Sequence, residues 1–241
     1  QKSNSESSPS PAPYIAENSD VLMNECIDHY GFDDINNKKF AFTFRSKKFD
    51  AQFKNGKYLY TSVLKDSTGS TIDSLWNDGF SRHKNGDLVT TPEVKLKGYA
   101  ATLNSIVYFA LLPYGLNHEG VLLGQLDTMS FGDTKYYLIA VDFASDDPEA
   151  HNDSYMYWIN STNKSIDYLA YYFCDEYCDY RFRVKTKEHH VDGFRFQDYD
   201  NYKPTDSILG LTDLMTAYKN NRLKKVSEIK LEAIQVSEAE F

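Results

Sequence analysis

The sequence predicts an α+β protein, mainly antiparallel β: an incomplete, half-open curved β-barrel of about 10–11 strands around a central plugging helix, flanked by an N-terminal helix and a short C-terminal helix. Three observations carry this. Tyr and Phe are abundant, at 19 and 15 residues, and aromatic residues favour strands. Asx-Gly pairs at Asn55-Gly56, Asn85-Gly86 and Asp192-Gly193 separate short alternating runs, as in an antiparallel meander. The most apolar run, residues 99–114, has helical spacing. Its second half, residues 106–112, is apolar all round, and such a helix must be enclosed. A flat sheet of this size tends to curl, and curling would enclose it.

Residues 1–13 read as a Ser/Pro tether without a core, and residues 14–241 as a single half-barrel domain. The first helix spans residues 15–30. Val21, Leu22, Cys26, Ile27 and Tyr30 lie on one stripe, Ser19 or Asp20 caps the start, and Gly31 ends it. Strands follow at residues 39–45, 49–53, 57–64 and 71–83. In the first of these, Phe40, Phe42 and Phe44 share a face. Thr91 is expected to cap the central helix, with Pro92 at its first position and Pro113 stopping it. Leu96 to Leu103 reads as its packed anchor and Ile106 to Tyr114 as plug or cavity wall. Strands then run over residues 120–131, 134–143, 155–160, 165–174, 178–187 and 190–203. A helix spans residues 211–219, and a last, imperfectly alternating strand covers residues 226–236.

The net charge is −9, which argues against a nucleic-acid partner and against simple electrostatic docking on anionic lipid. Cys26 reads as a buried small hydrophobe. Cys174 and Cys178 could form a disulfide across a hairpin, stay free, or bind metal; structural zinc needs four ligands and no second pair exists. The acidic residues Asp146, Asp147, Glu149 and Asp153 form a weak candidate cation site without an EF-hand's glycine or period. No phosphate loop, nucleophile elbow or zincin helix occurs, and no cofactor is expected. An enzyme would have to use His29, His118, His151, His189, His190 or the loop acids at a cavity mouth. The aromatic strands and the apolar helix point instead to a cavity suited to acyl chains or other apolar ligands, or to a solid core with no ligand. The expected ligand wall is Tyr108, Phe109, Leu112, Tyr114, Trp76 and Trp158.

Two segments, Asn104-Ser-Ile-Val-Tyr-Phe-Ala-Leu-Leu-Pro-Tyr-Gly-Leu-Asn117 and Val191-Asp-Gly-Phe-Arg-Phe-Gln-Asp-Tyr-Asp-Asn-Tyr-Lys-Pro204, resemble a family of uncharacterised bacterial proteins, often lipoproteins, chiefly of flavobacterial type. The order of elements is similar to that of the periplasmic lipoprotein-carrier and lipoprotein-sorting superfamily. The resemblance implies an incomplete antiparallel barrel whose concave face is covered by helices and binds lipid or acyl chains. With the Ser/Pro leader it implies an envelope lipoprotein, periplasmic or anchored at the outer membrane by an N-terminal lipid only. No cargo-trapping arginine is matched by a motif.

Overall fold

In the computed structural model, which describes residues 19–144, 153–174, 178–208 and 210–241, two antiparallel sheets face each other across helices. The first helix, α1 (Ser19–Tyr30), buries Leu22, Met23, Cys26, Ile27 and Tyr30. Val21 is 39% exposed, so the buried stripe runs through Met23 instead. Gly31 ends the helix with φ +77°, and a Cβ there would lie 2.5 Å from the Gly193 carbonyl oxygen. Only glycine fits both the conformation and this approach. The Ser19 hydroxyl donates to the Gly124 carbonyl at 2.6 Å, which ties the helix to a later loop. Tyr30 is buried, and its hydroxyl accepts the Ile166 N–H at 2.9 Å.

The first sheet is built from β1 (Lys38–Phe44), β2 (Lys47–Lys54), β3 (Lys57–Asp66), β4 (Gly69–Trp76), β5 (Gly79–Lys84) and β6 (Asp87–Leu88). The turns at Asn55-Gly56 and Asn85-Gly86 have positive φ at both positions, which matches the strand twist of a tight hairpin. The expected strand over residues 71–83 is two strands, because Asn77-Asp78 turns the chain. After β6 comes α2 (Glu93–Ala110), which joins the last strand of the first sheet to the first of the second.

The second sheet comprises β7 (Val121–Leu123), β8 (Asp127–Phe131), β9 (Thr134–Phe143), β10 (Ser154–Asn160), β11 (Ile166–Cys174), β12 (Cys178–Val191), β13 (Phe194–Pro204) and, after α3 (Asp213–Lys219), β14 (Leu223–Ile229). Strands β7 and β8 pair with successive stretches of β9; the single strand expected at residues 120–131 is interrupted where the Gly124 N–H bonds to Ala140. The final strand, β15 (Glu232–Glu238), belongs to the first sheet beside β1. The imperfect alternation over residues 226–236 therefore marks a crossing between sheets. At the crossing, buried Leu231 has its N–H held by the Asp198 carboxylate at 2.9 Å. Among the described residues no ladder closes the two sheets into a barrel. The strand count exceeds the expected ten or eleven because short edge strands and split hairpins carry little sequence signal.

Two cores result. The inner core lies between the sheets and includes α1, the inner residues of β1, β2, β9, β10 and β11, and Leu103, Val107, Ala110, Leu111, Leu112 and Leu116. The outer core lies on the other side of the second sheet under α3, with Trp158, Phe182, Leu214 and Met215 fully buried.

The central helix departs from expectation in two ways. Its N-cap position is Pro92 rather than Thr91, with no side-chain cap; the Pro92 carbonyl accepts the Lys95 and Leu96 N–H groups. Its expected anchor, Leu96 to Leu103, is packed only in part: Leu96, Tyr99 and Ala100 are half-buried and Leu103 is buried. The apolar second half is not enclosed on all sides either, because Ile106, Tyr108 and Phe109 remain half-buried. The helix rests on β3, β4 and β5 and covers the space between the sheets more as a lid than as a plug.

Candidate functional site: the groove beside the covering helix

The second half of α2 divides its side chains between two small cavities. Ser105, Ile106, Phe109 and Ala110 line one of about 90 Å³ with Phe44, Arg183, Gln197, Ile229 and Leu231. Asn104, Val107, Tyr108 and Leu111 line another of about 130 Å³ with Tyr60, Tyr114, Gly115 and Phe143. Residues three and four apart share a helix face, so adjacent faces of one helix turn toward the two spaces. Each cavity has room for only a few water-sized groups, at about 30 Å³ apiece.

The first cavity holds the least expected residue. Arg183, on β12, is only 7% exposed. Its Nη2 donates to the Tyr171 hydroxyl at 3.0 Å, and its guanidinium stacks 3.7 Å from the centre of the Phe109 ring. Its Nε and Nη1 are buried without an acceptor, and among the described residues no carboxylate pairs with it. Gln197, 4% exposed, sits in the same wall. The Tyr199 hydroxyl donates to its Oε1 at 2.7 Å, leaving Nε2 as a buried donor with no partner. Buried polar groups are nearly always paired, so two such side chains in one apolar cavity are unusual.

Around them stands an aromatic wall. Tyr108 and Tyr157 share a hydroxyl–hydroxyl bond of 2.6 Å, and Tyr155 contacts Tyr108, Phe109, Phe143 and Tyr171. Burial pushes the Tyr108, Tyr155, Tyr157 and Tyr199 phenols well above their ordinary value. They stay neutral at physiological pH and supply no phenolate.

The expected ligand-wall residues separate. Tyr108, Phe109 and Tyr114 line the cavities, and Leu112 is buried in the adjoining inner core. Trp158 faces the opposite way, in the outer core, with its indole N–H toward the Met129 sulfur at 2.9 Å. Trp76 is 37% exposed at the β4–β5 turn, beside a separate hollow with Tyr58, Asn77 and Phe241. A larger concavity, of about 550 Å³, also lies elsewhere and is walled by charged residues such as Lys39, Lys48, Asp50 and Lys65.

Cys174 and Cys178 lie opposite each other across β11 and β12 and are joined by a disulfide. Asp146, Asp147, Glu149 and His151 lie outside the described residues. Asp153 accepts from the Tyr155 hydroxyl at 3.4 Å, and no metal-binding cluster of His, Cys, Asp or Glu occurs among the described residues. His118 is exposed, with its ring against Tyr114. His189 bonds to Asp198, and His190 to Glu188. Arg195 bonds both Glu188 and the His29 carbonyl, so this network pins the β12–β13 hairpin to the end of α1. None of these histidines lines the cavities beside α2.

Burial, aided by the nearby Arg195 charge and opposed by Glu188, lowers the pKa of His29 below 6.5. A depressed histidine contributes stability that is present above its unfolded value and lost as pH falls through its folded value. The thermal midpoint of the protein is therefore expected to fall below about pH 6.5. His29→Gln should flatten that fall in a series of melts from about pH 8 to about pH 5. An unchanged slope in the variant would show that His29 is not the group responsible.

Sequence reasoning missed Arg183 and Gln197. The available signal was strand parity: Tyr180, Phe182 and Val184 pack in the outer core, which turns Arg183 inward.

Comparison with known proteins agrees with the architecture. A crystal structure of a DUF1329 family protein from Desulfovibrio piger superposes with a TM-score of 0.53 at 7% identity, covering 89% of this chain and 91% of that one; at such identity the likeness concerns the fold. A LolA superfamily protein from Nitrosomonas europaea gives 0.47 at 8% identity, over 92% and 93% of the two chains. No curated protein matches the chain. Residues 78–231, which include α2, Arg183, Gln197 and the whole second sheet, match the pattern of a family of unknown function, DUF6503, and the chain belongs to that family.

Proposed function

We propose that this protein binds a lipid, acyl chain or other apolar ligand between its two sheets, with α2 as the movable cover. The observation that carries the reading is the second half of α2. Its residues are apolar on every side, yet Ile106, Tyr108 and Phe109 line cavities and stay half-buried instead of completing a solid core. Together the two cavities fall short of the roughly 300 Å³ of a small ligand site, so binding requires α2 to shift off its neighbours. Such a shift would break contacts of the helix with β3, β4 and β5, among them the stacking of Arg82 on Tyr99. A cell-envelope setting, with the Ser/Pro leader as tether to a lipid anchor, accords with the Cys174–Cys178 disulfide, since such bonds persist in oxidising compartments. No helix among the described residues is long and apolar enough to cross a membrane.

The test uses an uncharged apolar fluorophore, diphenylhexatriene, titrated into the protein and competed with hexadecanol. Saturable binding at one site per chain, displaced by hexadecanol, is the expected result. Absence of saturable binding would favour the solid-core reading, which the small cavity volumes support, and would make the protein an interaction or structural domain.

A further inference from the structure

We propose that the groove beside α2 is built for an amphiphile with an anionic head, whose carboxylate or phosphate oxygens are received by Arg183 and Gln197 while its chain runs beneath the helix. The inference rests on the apolar-ligand reading and specifies the chemistry of that ligand.

The lining of the first cavity is asymmetric. Phe44, Ile106, Phe109, Ala110, Ile229 and Leu231 supply apolar walls, and no acidic residue is among them. The unsatisfied atoms are all donors: Nε and Nη1 of Arg183 and Nε2 of Gln197. Stacking on Phe109 satisfies the face of the guanidinium but none of its in-plane N–H groups. The bond to Tyr171 uses one nitrogen and brings no charge. A buried cation without a counterion is costly, and the cost falls when an anion arrives with acceptors for its protons. The protein carries a net charge of −9, and still no carboxylate among the described residues is directed to this arginine. Gln197 is held in the donating orientation, because Tyr199 occupies its oxygen. A cationic head would meet the like charge of Arg183 with no carboxylate in the lining to offset it, and an uncharged hydroxyl would leave the arginine unneutralised.

The anchor is also placed to work with the cover. Phe109 belongs to α2 and lies directly over the guanidinium. A displacement of the helix that opens the apolar groove therefore uncovers the head site in the same movement. Ile106 and Phe109 stand in the same lining as Arg183 and Gln197, so a chain leaving the head site runs directly onto apolar surface.

Competition for bound diphenylhexatriene by palmitate, hexadecyl phosphate and hexadecanol tests this, with acetate and inorganic phosphate as free-anion controls. On the wild type, at least one of the two anionic amphiphiles is expected to compete about tenfold or more better than hexadecanol, a difference of about 1.4 kcal/mol. That advantage, read as the ratio of anionic amphiphile to hexadecanol within each protein, should vanish in Arg183→Met and shrink in Gln197→Leu. Whichever of palmitate and hexadecyl phosphate binds more tightly identifies the head group. Equal competition by all three amphiphiles on the wild type would overturn the anchor and leave the apolar groove standing. Loss of all probe binding would overturn both. Binding of acetate or inorganic phosphate as tight as that of the long-chain ligands would assign a free-anion site and overturn the amphiphile. Should Arg183→Met not fold, the ranking on the wild type and its compression in Gln197→Leu decide the matter.

Discussion

Trp158→Ala is expected to lower the unfolding free energy by about 3–5 kcal/mol, the range for removing a fully buried large aromatic side chain. Trp158 has no exposed surface and stands edge-on to Phe182 at 5.7 Å. Met129, Leu214 and Met215 complete its surroundings. Chemical denaturation measures the loss directly as a lower midpoint. Affinity for diphenylhexatriene at a temperature where the variant is folded should stay within about twofold of wild type, since separate sites act nearly independently. The outer core lies across the sheet from the groove, so the indole is expected to act through stability alone. A large loss of affinity with little change in stability would place the indole in the binding site after all.

Phe109→Glu is expected to produce the opposite pattern. Glutamate is a better helix former than phenylalanine, and the new carboxylate would reach the guanidinium that the ring now covers at 3.7 Å. The pair would satisfy Arg183 from within the chain, so the midpoint in denaturant should change little. Affinity for the neutral probe should drop by at least about tenfold, because an ion pair replaces part of the apolar wall. The anionic amphiphile that the wild type prefers should lose its advantage over hexadecanol as well, its anchor being occupied. A strong destabilisation with binding retained would show that the carboxylate does not reach Arg183 and that Phe109 is a packing residue. Taken together, the two variants separate the cores: one substitution costs stability and spares binding, the other costs binding and spares stability.

The two cores also explain an inversion within the second sheet. Along β10, Tyr155, Tyr157 and Ile159 join the inner core, while Met156 and Trp158 contact the outer one. The strand is buried on both faces because α3 covers the side away from α2. Such a strand reads as one continuous apolar run, and a continuous run carries no information about which side chain faces which core. This is why Trp158 could be counted with Tyr108 as a ligand residue and yet lie on the far side of the sheet. In β12 the same rule works against intuition: Phe182 and Val184 occupy the outer core, and the arginine between them becomes the inward residue.

Much of the architecture was legible in local patterns. The Asx-Gly turns lie where their backbone chemistry requires, α1 ends at a glycine that nothing larger could replace, and the apolar run from Tyr99 onward is a helix. Cys174 and Cys178 meet across a hairpin, one of the arrangements their spacing allowed. These features depend on interactions between residues a few positions apart, which a sequence displays directly. The expected tether, residues 1–13, and Asp146, Asp147 and Glu149 lie outside the described residues.

Other features depend on which distant segments meet, and only the tertiary structure decided them. The chain crosses from one sheet to the other at Leu231, where the carboxylate of Asp198 holds its N–H. The second half of α2 is covered on some sides and left against small cavities on others, because it bridges two sheets that do not close. Arg183 and Gln197 come together although nothing in their own strands marks them as a pair. Their meeting depends on strand parity, on the placement of α3 over the outer face, and on the position of Phe109 above the guanidinium. Parity shows in the sequence as a two-residue period, but which parity turns inward, and what it meets there, is a long-range consequence of packing. Local hydrogen-bonding chemistry therefore determined the elements, while the burial of two separate faces of one sheet determined which residues form the candidate site.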